Sequence, residues 1–234
     1  MEILGVTETA LQHLRISIIE GELLPGQRLN EVELSASLGI SRPPLREAFR
    51  LLEGENLVVS VARKGCYVTE VSTRDCLQIY KAREMIECYT IDCFEARGIR
   101  ELPDVISAIT LAGQPRAGSS YDDREKIGYR NPYPYFHLKL VESTGNQWLI
   151  RFYNSIAPTL ARYQFMCYVP EVLEKTQREH KRILDLIRKG SYKEAKEFLK
   201  GHISSWVKFL ESRMNQYEQT RQLSSGVTSK GILG

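Results

Sequence analysis

The chain has 234 residues, 42% of them apolar and 26% charged, with a formal net charge of +3. That length admits one large domain or two small ones, each with a buried core, and the balance of apolar and charged residues excludes global disorder. No apolar run approaches the roughly 18 residues of a membrane span. The first residues lack the basic and apolar regions of a signal peptide, and five scattered cysteines without a C-x-x-C pair suit a reduced cytoplasm.

In chain order, Leu11, Leu14, Ile18 and Ile19 recur at helical spacing and predict a first helix that stops before Gly21 and the Pro25-Gly26 breaker. Asn30 caps a short second helix marked by Val32, Leu34 and Leu38, and Gly39 supplies its left-handed stop. After the tight step Gly39-Ile40-Ser41, a third helix capped by Ser41 runs to about Glu53, which is a helix-turn-helix layout. Two β-favouring runs, one from Leu57 and one from Cys66, flank Arg63-Lys64-Gly65 and predict a hairpin.

From Ser72 onward the pattern is helical. A long helix capped by Ser72 or Thr73 ends near Gly98, and Leu102 to Leu111 suggests another. Gly113 to Pro134 reads as a loop or broken helix, after which periodicity resumes at Phe136 to Val141, Trp148 to Phe165, Leu173 to Ile187, and from Ala195 through Phe209. The polar, Gly- and Ser-rich end predicts a disordered tail. The fold class is therefore mainly α: a winged helix-turn-helix domain over residues 1–71, an all-α bundle over 72–218, and a tail over 219–234.

Residues 1–70 hold six arginines and one lysine against ten glutamates, a net charge of −3. A DNA-binding role for this segment must therefore rest on a local cluster. The third helix offers one: Arg42, Arg46 and Arg50 are four apart and drift only about 80° around the helix, while Leu45, Ala48, Phe49 and Leu52 form a separate stripe. Pro43 and Pro44 fall in the first turn, where a missing N–H costs no helical bond. Three guanidinium groups on one face suit guanine edges and phosphates, although a solvated basic face has the same pattern. The helix-turn before it and the Arg63-Lys64 hairpin after it favour the winged-helix reading.

Residues 11–70 resemble the DNA-binding domain of the GntR family of bacterial transcription regulators. The resemblance lies in Gly21-Glu-Leu-Leu-Pro-Gly-Gln-Arg-Leu-Asn-Glu, in Ser41-Arg-x-Pro-x-Arg-Glu-Ala, and in the wing Arg63-Lys-Gly-Cys-Tyr-Val. Pro43 stands where the family usually has Thr and Leu45 where it often has Val. The resemblance implies a homodimer on a palindromic double-stranded operator, with Ser41, Arg42, Arg46 and Arg50 in the major groove and Lys64 and Gly65 at the wing tip.

Of four histidines, His137, His180 and His202 lie in the helical region. His180 precedes Gly190 by ten residues and His202 follows it by twelve, so in an antiparallel hairpin they meet at about the same level. Both share faces with apolar residues, and with His137 available they form a candidate imidazole site for a metal, or else buried histidines satisfied by hydrogen bonds. Residues 75–215 resemble the FCD effector domain of the FadR-type subfamily, through Phe136-His137-x-x-Leu, Gly145-Asn146, Glu179-His180-x-x-Ile-Leu and His202. That resemblance implies a divalent ion, zinc, nickel or similar, held by the three histidines and an Asp. Here Tyr133 occupies the place of that Asp, leaving Asp122, Asp123 or a water for the fourth position.

Arg83 lies on an apolar stripe between Ile79 and Ile86, either paired with Glu87 or facing the cavity as the FCD pattern implies. A guanidinium near three neutral imidazoles and a metal would favour a small carboxylate effector, with Arg162 as a second contact. These expectations describe a cytoplasmic, effector-responsive transcription regulator with no membrane partner. The rivals are a metal-dependent hydrolase using the three histidines and a non-specific architectural DNA protein. The hydrolase reading lacks a general base, since no acidic residue lies within a turn of His137 and Glu179 is expected to face away from His180.

Overall fold

The computed structural model describes residues 5–106, 133–167 and 171–229. Its N-terminal part begins with α1 (Val6–Ile19), which buries Leu11, Leu14 and Ile18. Against them pack Leu45, Ala48, Phe49 and Leu52 of α3 (Arg42–Gly54). Full burial of such side chains contributes about 1.5–3 kcal/mol each. Between these helices, α2 (Glu31–Leu38) starts at Asn30, whose side chain accepts from the Val32 amide at 3.0 Å, and stops at Gly39 with φ 64°.

Ser41 has extended N-cap dihedrals, but its hydroxyl makes no capping bond. The expected cap fails for a local reason: the amides it would serve, at the second and third helical positions, belong to Pro43 and Pro44, which have no N–H.

Three short strands, β1 (Arg28–Leu29), β2 (Val58–Val61) and β3 (Gly65–Val68), form an antiparallel sheet in the order β1-β3-β2. The β2–β3 hairpin is the wing. Its turn is closed by left-handed Arg63 (φ 63°) as well as by Gly65 (φ 108°). The β1 strand is an addition to the expected hairpin, because two residues are too few to show a period.

The second part has helices and no strand among its described residues. Helix α4 (Thr73–Arg97) is capped by Ser72, which accepts from the Asp75 amide at 3.1 Å, and ends at Gly98 with φ 64°. It is followed by α5 (Tyr133–Glu142), α6 (Gln147–Met166), α7 (Glu171–Arg188) and α8 (Tyr192–Ser229). Residues 103–106 are helical; the rest of the expected Leu102–Leu111 helix and nearly all of the Gly113–Pro134 segment, with Asp122 and Asp123, lie outside the described residues. Buried apolar residues fall into two clusters, one drawn from Ala10 to Val68 and the other from Val71 to Met214.

The tail differs from expectation: α8 continues as helix to Ser229 rather than ending before Gln219. Arg221 anchors it by an ion pair with Glu70 and a bond from Nη2 to the Pro25 carbonyl, partners that its own composition does not reveal. Among the described residues no helix is long and apolar enough to cross a membrane.

Candidate nucleic-acid interface and metal centre

Helix α3 divides its surface as its sequence dictates. Leu45, Ala48 and Leu52 are wholly buried, while Arg42, Arg46 and Arg50 are exposed. Two of the arginines rest on carboxylates: Arg46 Nε lies 2.9 Å from Glu31 Oε2, and Arg50 Nη1 lies 3.2 Å from Glu47 Oε2. Both pairs are exposed and therefore weak, so exchange for a phosphate or base edge is cheap. Ser41, Lys64 and Gly65 are also exposed. The sheet adds a cation that the sequence reading left out: pairing of Arg28 with Tyr67 carries the Arg28 guanidinium to the wing, where a Cβ on Gly65 would meet its Nε at 3.4 Å.

In the helical part, α5, α7 and α8 bring His137, His180 and His202 together, all of them buried. His137 Nε2 lies 3.2 Å from His180 Nε2 and 3.4 Å from His202 Nε2. The equal offsets from Gly190 do place His180 and His202 at one level, with ring centroids 5.0 Å apart.

The far nitrogens settle the tautomers of two rings. His137 Nδ1 is 2.7 Å from Glu87 Oε2, and His202 Nδ1 is 2.7 Å from Glu179 Oε2. An ionised carboxylate only accepts, so each Nδ1 carries the proton and each Nε2 presents a lone pair. Two such lone pairs 3.4 Å apart cannot bond to each other, and a cation between them would satisfy both. Tetrahedral zinc with nitrogen ligands would separate those nitrogens by about 3.3 Å, close to the observed spacings. Carboxylates behind the ligating imidazoles are the usual orienting partners of a metal site. The described residues therefore fit a divalent metal through three histidines; the side chain of Tyr133, at the start of α5, lies outside the description.

Burial drives all three imidazoles toward their neutral form. It lowers the His137 pKa to about 3, aided by the Arg83 charge and opposed by Glu87. Burial also takes His180 well below 6.5, with the other two histidines adding to the effect. His202 is lowered for the same reason, against the pull of its Glu179 bond. For Glu87, burial alone would raise the carboxyl pKa, but Arg83 and then His137 overcome it and bring it down to about 2.

Arg83 does pair with Glu87, Nε to Oε1 at 2.7 Å, with both groups buried. The pairing leaves its Nη1 and Nη2 buried without hydrogen-bond partners among the described residues, beside a Tyr80 hydroxyl in the same condition. A guanidinium fork with two free donors matches a carboxylate. The charge arithmetic changes, however: Glu87 already neutralises Arg83, which therefore brings no uncompensated charge of its own. Arg162 Nη1 donates to Thr69 Oγ1 at 2.9 Å and so holds the DNA-reading part.

Glu87 and Glu179 were the residues that sequence reasoning missed. Glu179 does not face away: it reaches across the α7–α8 hairpin to His202. Glu87 approaches His137 from another helix, which no search along the chain near His137 reveals.

The profile of "Bacterial regulatory proteins, gntR family" matches residues 6–68 and that of the "FCD domain" matches residues 78–205. The chain is 27% identical over 192 residues to the uncharacterised HTH-type transcriptional regulator YdhC of Bacillus subtilis (strain 168), covering 82% of this chain and 84% of the relative. It is 25% identical over 172 residues to the gluconate operon transcriptional repressor of Bacillus licheniformis, covering 74% of this chain and 68% of that one. Its fold resembles a GntR transcriptional regulator from Rhodococcus sp. RHA1, with a TM-score of 0.68 at 23% identity over 87% of this chain and 96% of the other.

Proposed function

The chain belongs to the GntR family of bacterial regulators and carries an FCD domain, so it is a DNA-binding transcriptional regulator and not an enzyme; from that premise we propose that a small carboxylate bound at a metal centre modulates its hold on DNA. His137, His180 and His202 hold the divalent ion, zinc, nickel or similar, and Arg83 receives the carboxylate. The observation that carries this reading is the convergence of three Nε2 atoms, two of them backed by carboxylates on Nδ1. When bound, the metal supplies positive charge and an open coordination position for an anion. Glu87 and Glu179 sit behind the imidazoles, which suits orienting groups and not a general base facing the centre.

At the other end, Ser41, Arg42, Arg46 and Arg50 read the major groove while Lys64, Gly65 and Arg28 line the wing. One chain carries one such helix and reads a half-site, so the operator is palindromic and the active form a homodimer.

Elemental analysis of purified protein, followed by thermal-shift titrations with zinc and a panel of carboxylates before and after chelation, tests the effector half. Zinc is expected to raise the melting temperature of wild type and not of His180→Ala, with a carboxylate adding a further rise only in the metal-loaded protein. No zinc-dependent shift in wild type overturns the metal centre.

A further inference from the structure

Helix α6 reaches into both halves of the molecule with buried side chains. Toward its start, Tyr153 donates from its hydroxyl to Glu87 Oε1 at 3.0 Å, and the other oxygen of Glu87 takes the Nδ1 proton of His137. Six residues on, about 9 Å along the axis, Thr159 Oγ1 donates to the Glu55 backbone carbonyl at 3.1 Å. Glu55 is the residue that closes α3, and its carboxylate is held by Arg15 Nε of α1 at 2.7 Å.

A turn further along, Arg162 donates to Thr69 Oγ1, and that hydroxyl donates to the Asn56 carbonyl at 2.9 Å. Both contacts land on one turn, residues 55–57, where Asn56 is left-handed with φ 59°. Tyr153, Thr159 and Arg162 are each buried. Between Tyr153 and Thr159, Pro158 removes one bond of the helical ladder, the place where a change of tilt costs least.

We propose that α6 is the element that couples the histidine cluster to the reading helix: Tyr153 senses the Glu87–His137 pair, and Thr159 and Arg162 position the turn that fixes the end of α3. This rests on the reading that the cluster is the effector site. Any group that draws on Arg83 or His137 alters the charge that Glu87 shares among its partners, and Tyr153 is the partner on α6. A shift of α6 then moves the seat of α3 directly. The alternative route along α8 joins the two halves through Arg221 and Glu70, an exposed pair that water screens.

Positioning of this kind works in both directions and needs no ligand to be seen. In the full-length protein, Tyr153→Phe is expected to speed amide exchange at Glu55, Asn56 and Leu57 by about threefold or more while leaving α2 unchanged. From the other end, Thr159→Val is expected to shift the imidazole nitrogen signals of His137, and Thr159→Ser to restore them. If both substitutions act only locally, the coupling assignment is overturned. A parallel zinc titration separates this from the metal reading: zinc binding without the remote effects rejects the coupling alone, and remote effects without zinc binding uphold it while rejecting the metal centre.

Discussion

Glu87 answers to three partners at once: fully buried, it accepts from Arg83, His137 and Tyr153. Such a group is costly to bury alone and well served when paired on all sides. The histidines around it set an acid limit on the fold. His137 binds a proton near pH 3 when folded but near 6.5 when exposed, so between those values the unfolded chain holds more protons and acid favours unfolding. Stability is whole above about pH 6.5 and falls below it, by up to about 1.4 kcal/mol per pH unit for each buried imidazole. The contribution of Glu87 runs in a later window, present above its ordinary 4.5 and lost toward about 2. Thermal unfolding of chelated protein is thus expected to show a melting temperature that drops from about pH 6.5 downward; an unchanged value at pH 5 would contradict the buried neutral imidazoles.

Helix α3 shows how one element serves folding and reading on separate faces. Leu52 is fully buried, so Leu52→Ala is expected to cost about 2–5 kcal/mol in urea unfolding. Arg46 is exposed, so Arg46→Ala is expected to leave unfolding nearly unchanged. Its loss is expected instead to weaken a selected operator by about 1–3 kcal/mol if its contact is bidentate to a base, measured by electrophoretic shift. A large stability change with undiminished operator affinity would reverse the assignment of faces. The helix start carries a trade that the letters disclosed only in part: Pro43 and Pro44 stiffen the first turn and at the same time deprive Ser41 of the amides it would cap. Ser41 thereby keeps its hydroxyl for other donors and acceptors.

Across the whole molecule, charge is arranged against simple attraction to DNA, since the reading segment carries net −3 and the remainder +6. Affinity concentrated in a few cations is expected to give a shallow salt dependence, and Lys64→Ala should reduce the slope of log affinity against log salt by about 1 per protomer. An unchanged slope would remove Lys64 from the phosphate contacts. The sequence by itself determined most of the elements and their faces: the arginine stripe of α3, the stop at Gly39, and the level meeting of His180 and His202 across Gly190. Those follow from periods and offsets within one or two adjacent segments. Only the tertiary structure decided which groups meet across distant segments. It set Glu87 behind His137, brought Arg28 to the wing through a two-residue strand, and turned Arg162 toward Thr69. The physical reason is that periodicity reports which face of an element is buried, whereas a partner on another element is fixed by how whole helices pack.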